Sequence, residues 1–179
     1  MEQSAEIPKL NDKVIVTFLN LLLADEYILY TKTRTANWNV DGANQFEMHV
    51  FLENQYNELD VIIDEIAERI RSFGHFALGS LKDFLSIAQM SNDHQHFKNS
   101  ETILATLLDD HQAISRIILH ETEPTSGTFD DLDTVNFLAG VMARHQKMAW
   151  MLKSFLSRPP FRAITPIHKN NNQLADWQD

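Results

Sequence analysis

Residues 37–74 read NWNVDGANQFEMHVFLENQYNELDVIIDEIAERIRSFG, and the spacing of apolar side chains in this stretch decides the fold. After the turn that Asp41-Gly42 predicts, no glycine or proline occurs before Gly74, so the pattern predicts one long helix. At about 100° per residue the apolar side chains fall on one face of that helix. They are Met48, Leu52, Leu59, Ile63, Ile66, Ile70 and Phe73.

A second row of side chains, which we call the acidic seam, runs beside the apolar face. The acidic seam consists of His49, Glu53, Asp60, Asp64 and Glu68. Imidazole and carboxylate groups bind divalent metal ions. A solvent-exposed, charged helix face explains any one of these carboxylates more simply. The whole set, in register beside the apolar face, favours a metal-binding site. The remaining face is expected to be solvated; it carries Glu47, Asn54, Glu58, Glu65 and Arg69.

The spacing within the acidic seam limits how a metal ion could bind. His49 and Glu53 are one helical turn apart, and so are Asp64 and Glu68. The two pairs are separated by about 22 Å along a helix that rises about 1.5 Å per residue. Because ligand atoms lie about 2 Å from a metal ion, the two pairs of one chain cannot share one ion. Either each chain has two poor sites, or an antiparallel second chain completes two equivalent sites about a two-fold axis.

The stretch also resembles the signature of a known family. The matching positions are Trp38-Asn39, Gly42, Phe46, His49, Glu53 and Asp64-Glu65-Ile66-Ala67-Glu68-Arg69-Ile70-Arg71. Their order and spacing are similar to those of the Dps family, the DNA-protection-during-starvation mini-ferritins, and the resemblance extends from about Asn11 to Leu156. It implies an all-α, ferritin-like four-helix bundle with a short extra helix in the long crossover between helices 2 and 3. It also implies iron ligands from two subunits and a closed cage of twelve subunits.

Two positions depart from the family pattern. The histidine that usually precedes the tryptophan is Asn37 here, and Glu53 stands where the family usually has aspartate. A neutral amide is a weak ligand for iron, whereas the longer carboxylate is a milder change. The resemblance therefore implies an iron site of His49, Glu53, Asp64 and Glu68, with Asn37 doubtful and zinc as a possible competitor. Oxidation of ferrous iron is expected to be slower than in relatives with histidine at this position.

Three further acidic residues, Asp130, Asp131 and Asp133, crowd the start of the last predicted helix. Stabilisation of the helix N-terminus is sufficient to explain them. The resemblance offers a second interpretation, since the family's three-fold pores for ion entry lie near the start of this helix. Both interpretations stay open, because one carboxylate can serve both roles.

Several charged or polar residues occur within otherwise apolar helical patterns. His111 and His145 are predicted to be hydrogen-bonded core histidines rather than ligands. Asp25 and Glu26 interrupt the apolar first helix, and we expect them to pair with Lys32 or Arg34. The first helix itself, from Val14 to Tyr30, is apolar on most sides and therefore needs cover on most sides.

Composition bounds the remaining possibilities. The 179 residues divide into a predicted tail (1–10), a helical bundle (11–157) and a second tail (158–179) that contains Trp177. A content of 44% hydrophobic residues predicts a packed core. The absence of cysteine means that this core has no disulfides, which fits a reducing, cytoplasmic compartment. We see neither a signal peptide nor a membrane span. The net charge of −10 and tails without a lysine-rich arm predict weak or absent DNA binding.

The resemblance implies one function and leaves one alternative. The first is a Dps-like ferroxidase that binds ferrous iron between subunits, oxidises it with peroxide or dioxygen, stores ferric iron in a cage and so protects against oxidative damage. The alternative is a Dps-like structural or DNA-associated cage whose ferroxidase activity is impaired by Asn37. A true ferritin fits less well, because di-iron bundles use two Glu-x-x-His motifs in one chain, and this sequence has none.

Overall fold

The computed structural model describes residues 10–41, 45–91, 99–123, 129 and 131–157, which form five α-helices and no strand. The helices are α1 (Leu10–Asn39), α2 (Gln45–Ser72), α3 (Leu81–Ile87), α4 (Ser100–Thr122) and α5 (Leu132–Leu156). Four helices are long, and the short α3 lies in the connection between α2 and α4. The predicted all-α class and the extra helix in the crossover are therefore confirmed. Most of the two predicted tails, including Trp177, lies outside the described residues.

The long helices pack side by side into a bundle. At the junction of α1 and α2, the side-chain amide of Asn37 donates a hydrogen bond of 2.8 Å to the backbone carbonyl of His49. On another side of α2, the rings of Phe51 and Phe155 lie with centroids 4.4 Å apart, which joins α2 to α5. The helix α4 packs against α5 and also against α1.

The apolar face of α2 is buried as the spacing predicts. Six of the seven expected residues are buried, and Phe73 is packed partly buried against the same core. Gln55 and Ile62 complete this face. The helix ends before Gly74, whose φ of 79° is left-handed and suits glycine at a helix C-terminus.

The remaining face of α2 differs from the expectation of a solvated surface, because part of it contacts α5. Arg144 of α5 donates from Nε to Glu58 Oε1 at 2.6 Å and also forms an ion pair with Glu65. Arg69 donates to Asp131 at 2.8 Å. Side chains at this spacing looked like free surface charges in the sequence, yet they form a polar contact between two helices.

The first helix is buried around most of its circumference, as predicted. By length and composition alone, residues 12–39 would be apolar enough to cross a membrane, but 56% of the most apolar window is buried inside the bundle. This burial is what a core helix requires. The exposed exceptions include Val14 and Trp38.

The charged residues of α1 have partners other than the expected ones. Asp25 accepts backbone hydrogen bonds from Gln89 at 2.7 Å and Met90 at 2.8 Å, and burial raises the pKa of its carboxyl group. Lys32 forms an ion pair with Asp110 of α4. The predicted pairing of Asp25 and Glu26 with Lys32 or Arg34 is therefore wrong, because these side chains face different neighbouring elements.

The short helix α3 packs against α1. Ser80 is its N-cap, and Phe84 is buried with its ring stacked 4.6 Å from that of Tyr27. Leu81 and Leu85 are 67% and 56% exposed. These two leucines form an apolar surface that nothing in the described part of one chain covers.

Candidate metal centre

All five residues of the acidic seam lie along one exposed face of α2. Glu53, Asp60, Asp64 and Glu68 are exposed, and His49 is half-buried. Three large apolar side chains share this face, and they are Phe46 (82% exposed), Val50 (44%) and Val61 (49%). Carboxylates interspersed with exposed apolar side chains are typical of a surface that another chain covers.

The described part of one chain does not assemble a metal site by itself. Among these residues, no three His, Asp or Glu side chains are grouped closely enough to hold one ion. His49 and Glu53 lie near the start of the unbroken α2, whereas Asp64 and Glu68 lie near its end. The geometry of the single chain therefore agrees with the spacing argument that the two pairs cannot share an ion.

Glu53 has a neighbouring tyrosine that the sequence analysis missed. The hydroxyl of Tyr56 donates a hydrogen bond of 3.3 Å to Glu53 Oε1. The guanidinium of Arg34 lies 5.2 Å from the centre of the Tyr56 ring and 5.5 Å from that of Trp38, so it stacks on both rings. Burial first, and then the charge of Glu53, raises the pKa of Tyr56, which keeps its hydroxyl a donor. The spacing of three residues between Glu53 and Tyr56 was the available signal.

Asn37, the doubtful ligand, has a structural contact in this chain. It is only 9% exposed, and its side-chain nitrogen donates the 2.8 Å bond to the carbonyl of His49. This bond ties the end of α1 to the first turns of α2. The side-chain amide of Asn37 thereby positions the backbone of His49, whose imidazole belongs to the acidic seam.

The acidic residues at the start of α5 are partly accounted for by local structure. Asp131 is the N-cap of α5, and it accepts a bond of 3.1 Å from the backbone N–H of Thr134 and one of 2.8 Å from Arg69. The Thr134 hydroxyl first, and then its N–H and Arg69, lower the pKa of Asp131. Asp133 is exposed, and Asp130 lies outside the described residues. The role in stabilising the helix N-terminus is thus visible for Asp131.

The two histidines predicted to lie in the core are buried there and contact each other. His111 and His145 are both completely buried, and their Nδ1 atoms lie 2.9 Å apart. Burial, with the nearby His145, lowers the pKa of His111 well below its usual value. A third member of this group, Glu26, was not predicted from the sequence; its Oε1 lies 2.8 Å from His145 Nε2.

Known proteins resemble this chain in sequence and in fold. Residues 16–160 match the ferritin-like domain family. An uncharacterized low temperature-induced protein of Nostoc sp. is 34% identical over 161 residues, which cover 90% of this chain and 87% of the relative. DNA protection during starvation protein 2 of Bacillus anthracis is 29% identical, over 82% of this chain and 99% of the relative.

The chain belongs to the Dps family.

A crystal structure of Dps from Staphylococcus aureus superposes with a TM-score of 0.73 at 30% identity, and the match covers 81% of this chain and 96% of that one. The ferritin-like fold of this Dps-family chain is therefore confirmed. Membership in the family supports iron storage and protection as its general role, and it implies iron binding.

Proposed function

We propose that this Dps-family chain binds ferrous iron at sites shared between two subunits, oxidises it, and stores the ferric product inside a closed cage in the cytoplasm. The observation that carries the proposal is the exposed face of α2, where the acidic seam lies among Phe46, Val50 and Val61. A monomer gains nothing from exposing these apolar side chains beside four carboxylates. A second subunit would bury the apolar groups and bring further ligands.

An antiparallel copy of α2 satisfies both requirements. It places Asp64 and Glu68 of one subunit beside His49 and Glu53 of its partner, and the two-fold axis produces two equivalent sites. The uncovered Leu81 and Leu85 of α3 offer additional apolar area for such contacts. We propose a dodecamer, in which three-fold as well as two-fold contacts close the shell.

Each proposed ligand has a distinct role at the shared site. The carboxylates of Asp64 and Glu68 supply negative charge for ferrous iron, and His49 supplies an imidazole nitrogen. Glu53 is held by Tyr56 through a hydrogen bond of 3.3 Å, which orients one carboxylate oxygen. Zinc suits the same donors and would compete with iron.

The oxidation consumes ferrous iron as substrate. Two ferrous ions lose one electron each, and one peroxide molecule takes up both electrons and two protons to give two water molecules. Dioxygen is the other candidate oxidant. The ferric ions then hydrolyse and enter the mineral in the cavity. We propose that ions reach the cavity through pores lined by Asp130, Asp131 and Asp133, where Asp133 is exposed and Asp131 also caps α5.

Substitution of Glu68 tests the shared site. Glu68→Ala should abolish tight ferrous binding, because it removes a charged ligand from a site that already lacks the usual histidine. Isothermal titration under anaerobic conditions measures the binding, and stopped-flow absorbance measures the oxidation. The exposed Asp109 of α4 provides a matched control, and Asp109→Ala should leave both unchanged. Unchanged binding and oxidation in Glu68→Ala would mean that the acidic seam is only a charged interface.

The second candidate function is a shell with impaired oxidation, and the contact of Asn37 favours it. The amide nitrogen is occupied by the carbonyl of His49, and an amide oxygen is a poor iron ligand. Asn37→His should add a donor and speed ferrous oxidation. If Asn37→His changes nothing while Glu68→Ala stops the reaction, the site works without this donor and the first function stands.

A DNA-associated shell is less consistent with the charge of the chain. Non-specific affinity for DNA depends on Lys and Arg contacts to phosphate, and the net charge here is −10. We expect no stable complex with duplex DNA in a gel shift at physiological salt. A tight complex that persists at high salt would contradict this expectation.

A further inference from the structure

Three aromatic rings surround the guanidinium of Arg34 next to the acidic seam. Its Cζ lies 5.6 Å from the centre of the Tyr30 ring, 5.5 Å from that of Trp38 and 5.2 Å from that of Tyr56. These distances are within the range of about 6 Å at which a ring face attracts a cation. On α1, Tyr30 and Trp38 lie one helical turn before and after it, whereas Tyr56 lies on α2. The side chain of Arg34 therefore joins the two helices.

The rings and one hydroxyl hold this guanidinium in place. Its Nη1 donates a hydrogen bond of 2.8 Å to the hydroxyl of Tyr30. Its Nε is buried and has no hydrogen-bond partner among the described residues. A planar guanidinium suits such a position, because it stacks on ring faces in a way that the compact ammonium of a lysine does not.

The position of the Tyr56 ring decides whether Glu53 has a partner. The Tyr56 hydroxyl reaches Glu53 Oε1 at 3.3 Å, beyond the usual range of about 2.5–3.0 Å for such a bond. A small shift of the ring would therefore break it. Arg34 stacks on this ring, and the Tyr30 ring meets it at 87° with centroids 6.2 Å apart. Edge-to-face pairs of this kind are favourable.

Glu53 needs a partner that holds its carboxylate before an ion binds. It is exposed on α2, and it is one methylene longer than the aspartate that the family pattern usually has here. The freedom of this longer side chain is lost when the carboxylate binds an ion. A donor that orients the carboxylate beforehand reduces this cost. The hydroxyl of Tyr56 is such a donor.

We infer that Arg34 is a positioning residue of the shared metal site, and that it acts on Glu53 through Tyr56. The inference rests on the proposed function, because Glu53 is a ligand only in that function. Arg34 supplies no ligand; it keeps the Tyr56 ring where the hydroxyl holds the carboxylate. Through this side chain α1 contributes to a site whose four proposed ligands all lie on α2.

Anaerobic titration of the full-length protein with ferrous iron tests this role. Arg34→Met keeps a long side chain without the guanidinium, and it should weaken binding by about tenfold, the low end of the effect of losing a neighbour of a ligand. Tyr56→Phe should have a similar effect. The double variant Arg34→Met/Tyr56→Phe should bind no more weakly than Tyr56→Phe, because the two residues act in series. Independent effects would multiply to about 100-fold, and that result would overturn the inference.

Two further variants separate positioning from charge and from unspecific effects. Arg34→Lys keeps the positive charge but not the planar stack, so it should bind ferrous iron nearly as weakly as Arg34→Met. Full recovery with lysine would show that charge alone matters. The exposed Arg116 of α4 provides a matched control, and Arg116→Met should leave binding unchanged. An equal loss in Arg116→Met would show that the ring cluster has no special role.

Crystal structures of the metal-free wild type and of Arg34→Met give a measurement that does not depend on iron. The Tyr56 hydroxyl should contact Glu53 in the wild type and lie beyond hydrogen-bond distance in the variant; a contact that survives in Arg34→Met would overturn the inference. Glu68→Ala identifies which idea has failed. Binding that is lost in Glu68→Ala but unchanged in Arg34→Met contradicts only the role of Arg34. Binding unchanged in both contradicts the shared site and, with it, this inference.

Discussion

Replacement of Asp131 should destabilise the protein through two separable contacts. Asp131→Ala removes the N-cap bond to the backbone of Thr134 and the ion pair with Arg69. The lost cap costs about 1 kcal/mol. The pair is partly exposed, with side chains 24% and 33% accessible, so we assign it about 0.2–1 kcal/mol. Urea denaturation at pH 7 and fixed protein concentration should therefore show a loss of about 1–2 kcal/mol.

Asp131→Asn separates the two contributions. Asparagine keeps a side-chain oxygen for the N–H of Thr134 and is a good N-cap, but it cannot form the ion pair. Its cost should be that of the pair alone, less than about 1 kcal/mol. Equal losses of unfolding free energy in Asp131→Asn and Asp131→Ala would refute the assignment of most of the contribution of Asp131 to its N-cap bond. If Asp131 also lines an entry pore, Asp131→Asn should slow iron uptake despite its small effect on stability.

The lowered pKa of Asp131 gives the same prediction a pH dependence. Because its folded pKa is below its unfolded value, the unfolded state takes up a proton first as the pH falls. The stabilisation by Asp131 is complete above the unfolded pKa of about 3.9, and it is lost as the pH falls through the folded pKa. The difference in unfolding free energy between wild type and Asp131→Ala should therefore shrink at acid pH.

Three other perturbations follow from the described contacts. Lys32→Met leaves Asp110, 15% exposed, without its cation, and it should cost about 3 kcal/mol in urea denaturation, whereas the exposed Lys147→Met should cost less than about 0.5 kcal/mol. The lowered pKa of His111 means that stability should fall as the pH drops below about 6.5, and His111→Gln should flatten this dependence in thermal unfolding scans. Tyr56→Phe removes the donor to Glu53 and should weaken ferrous binding by about tenfold in titration calorimetry.

The long helices could be predicted because their signals are repeated many times. The apolar face of α2 recurs over seven turns, and one misread position would not change its period. The same redundancy made the burial of α1 predictable, since few of its positions are polar. The N-cap of α3 depends on local sequence alone, because Ser80 is a residue type that favours this position.

Partners across the bundle could not be predicted, because they depend on the rotation and register of helices that are far apart in sequence. Lys32 seemed close to Asp25 along the chain, but it meets Asp110 instead, on a different helix. Glu26 gave no sign that it faces His145, since 119 residues separate them in the sequence. Likewise, the acidic seam was visible as a pattern, but its completion by a second subunit stays a prediction.

The contact of Asp25 has a consequence for how the sequence can change during evolution. Asp25 binds the main-chain N–H groups of positions 89 and 90, and not their side chains. These hydrogen bonds therefore place no demand on the side chains at the two positions. Proline is the exception, because it has no N–H to donate. We expect related chains that keep this aspartate to avoid proline at both positions and to vary freely at the exposed position 89, whereas the side chain of Met90 also packs against the core.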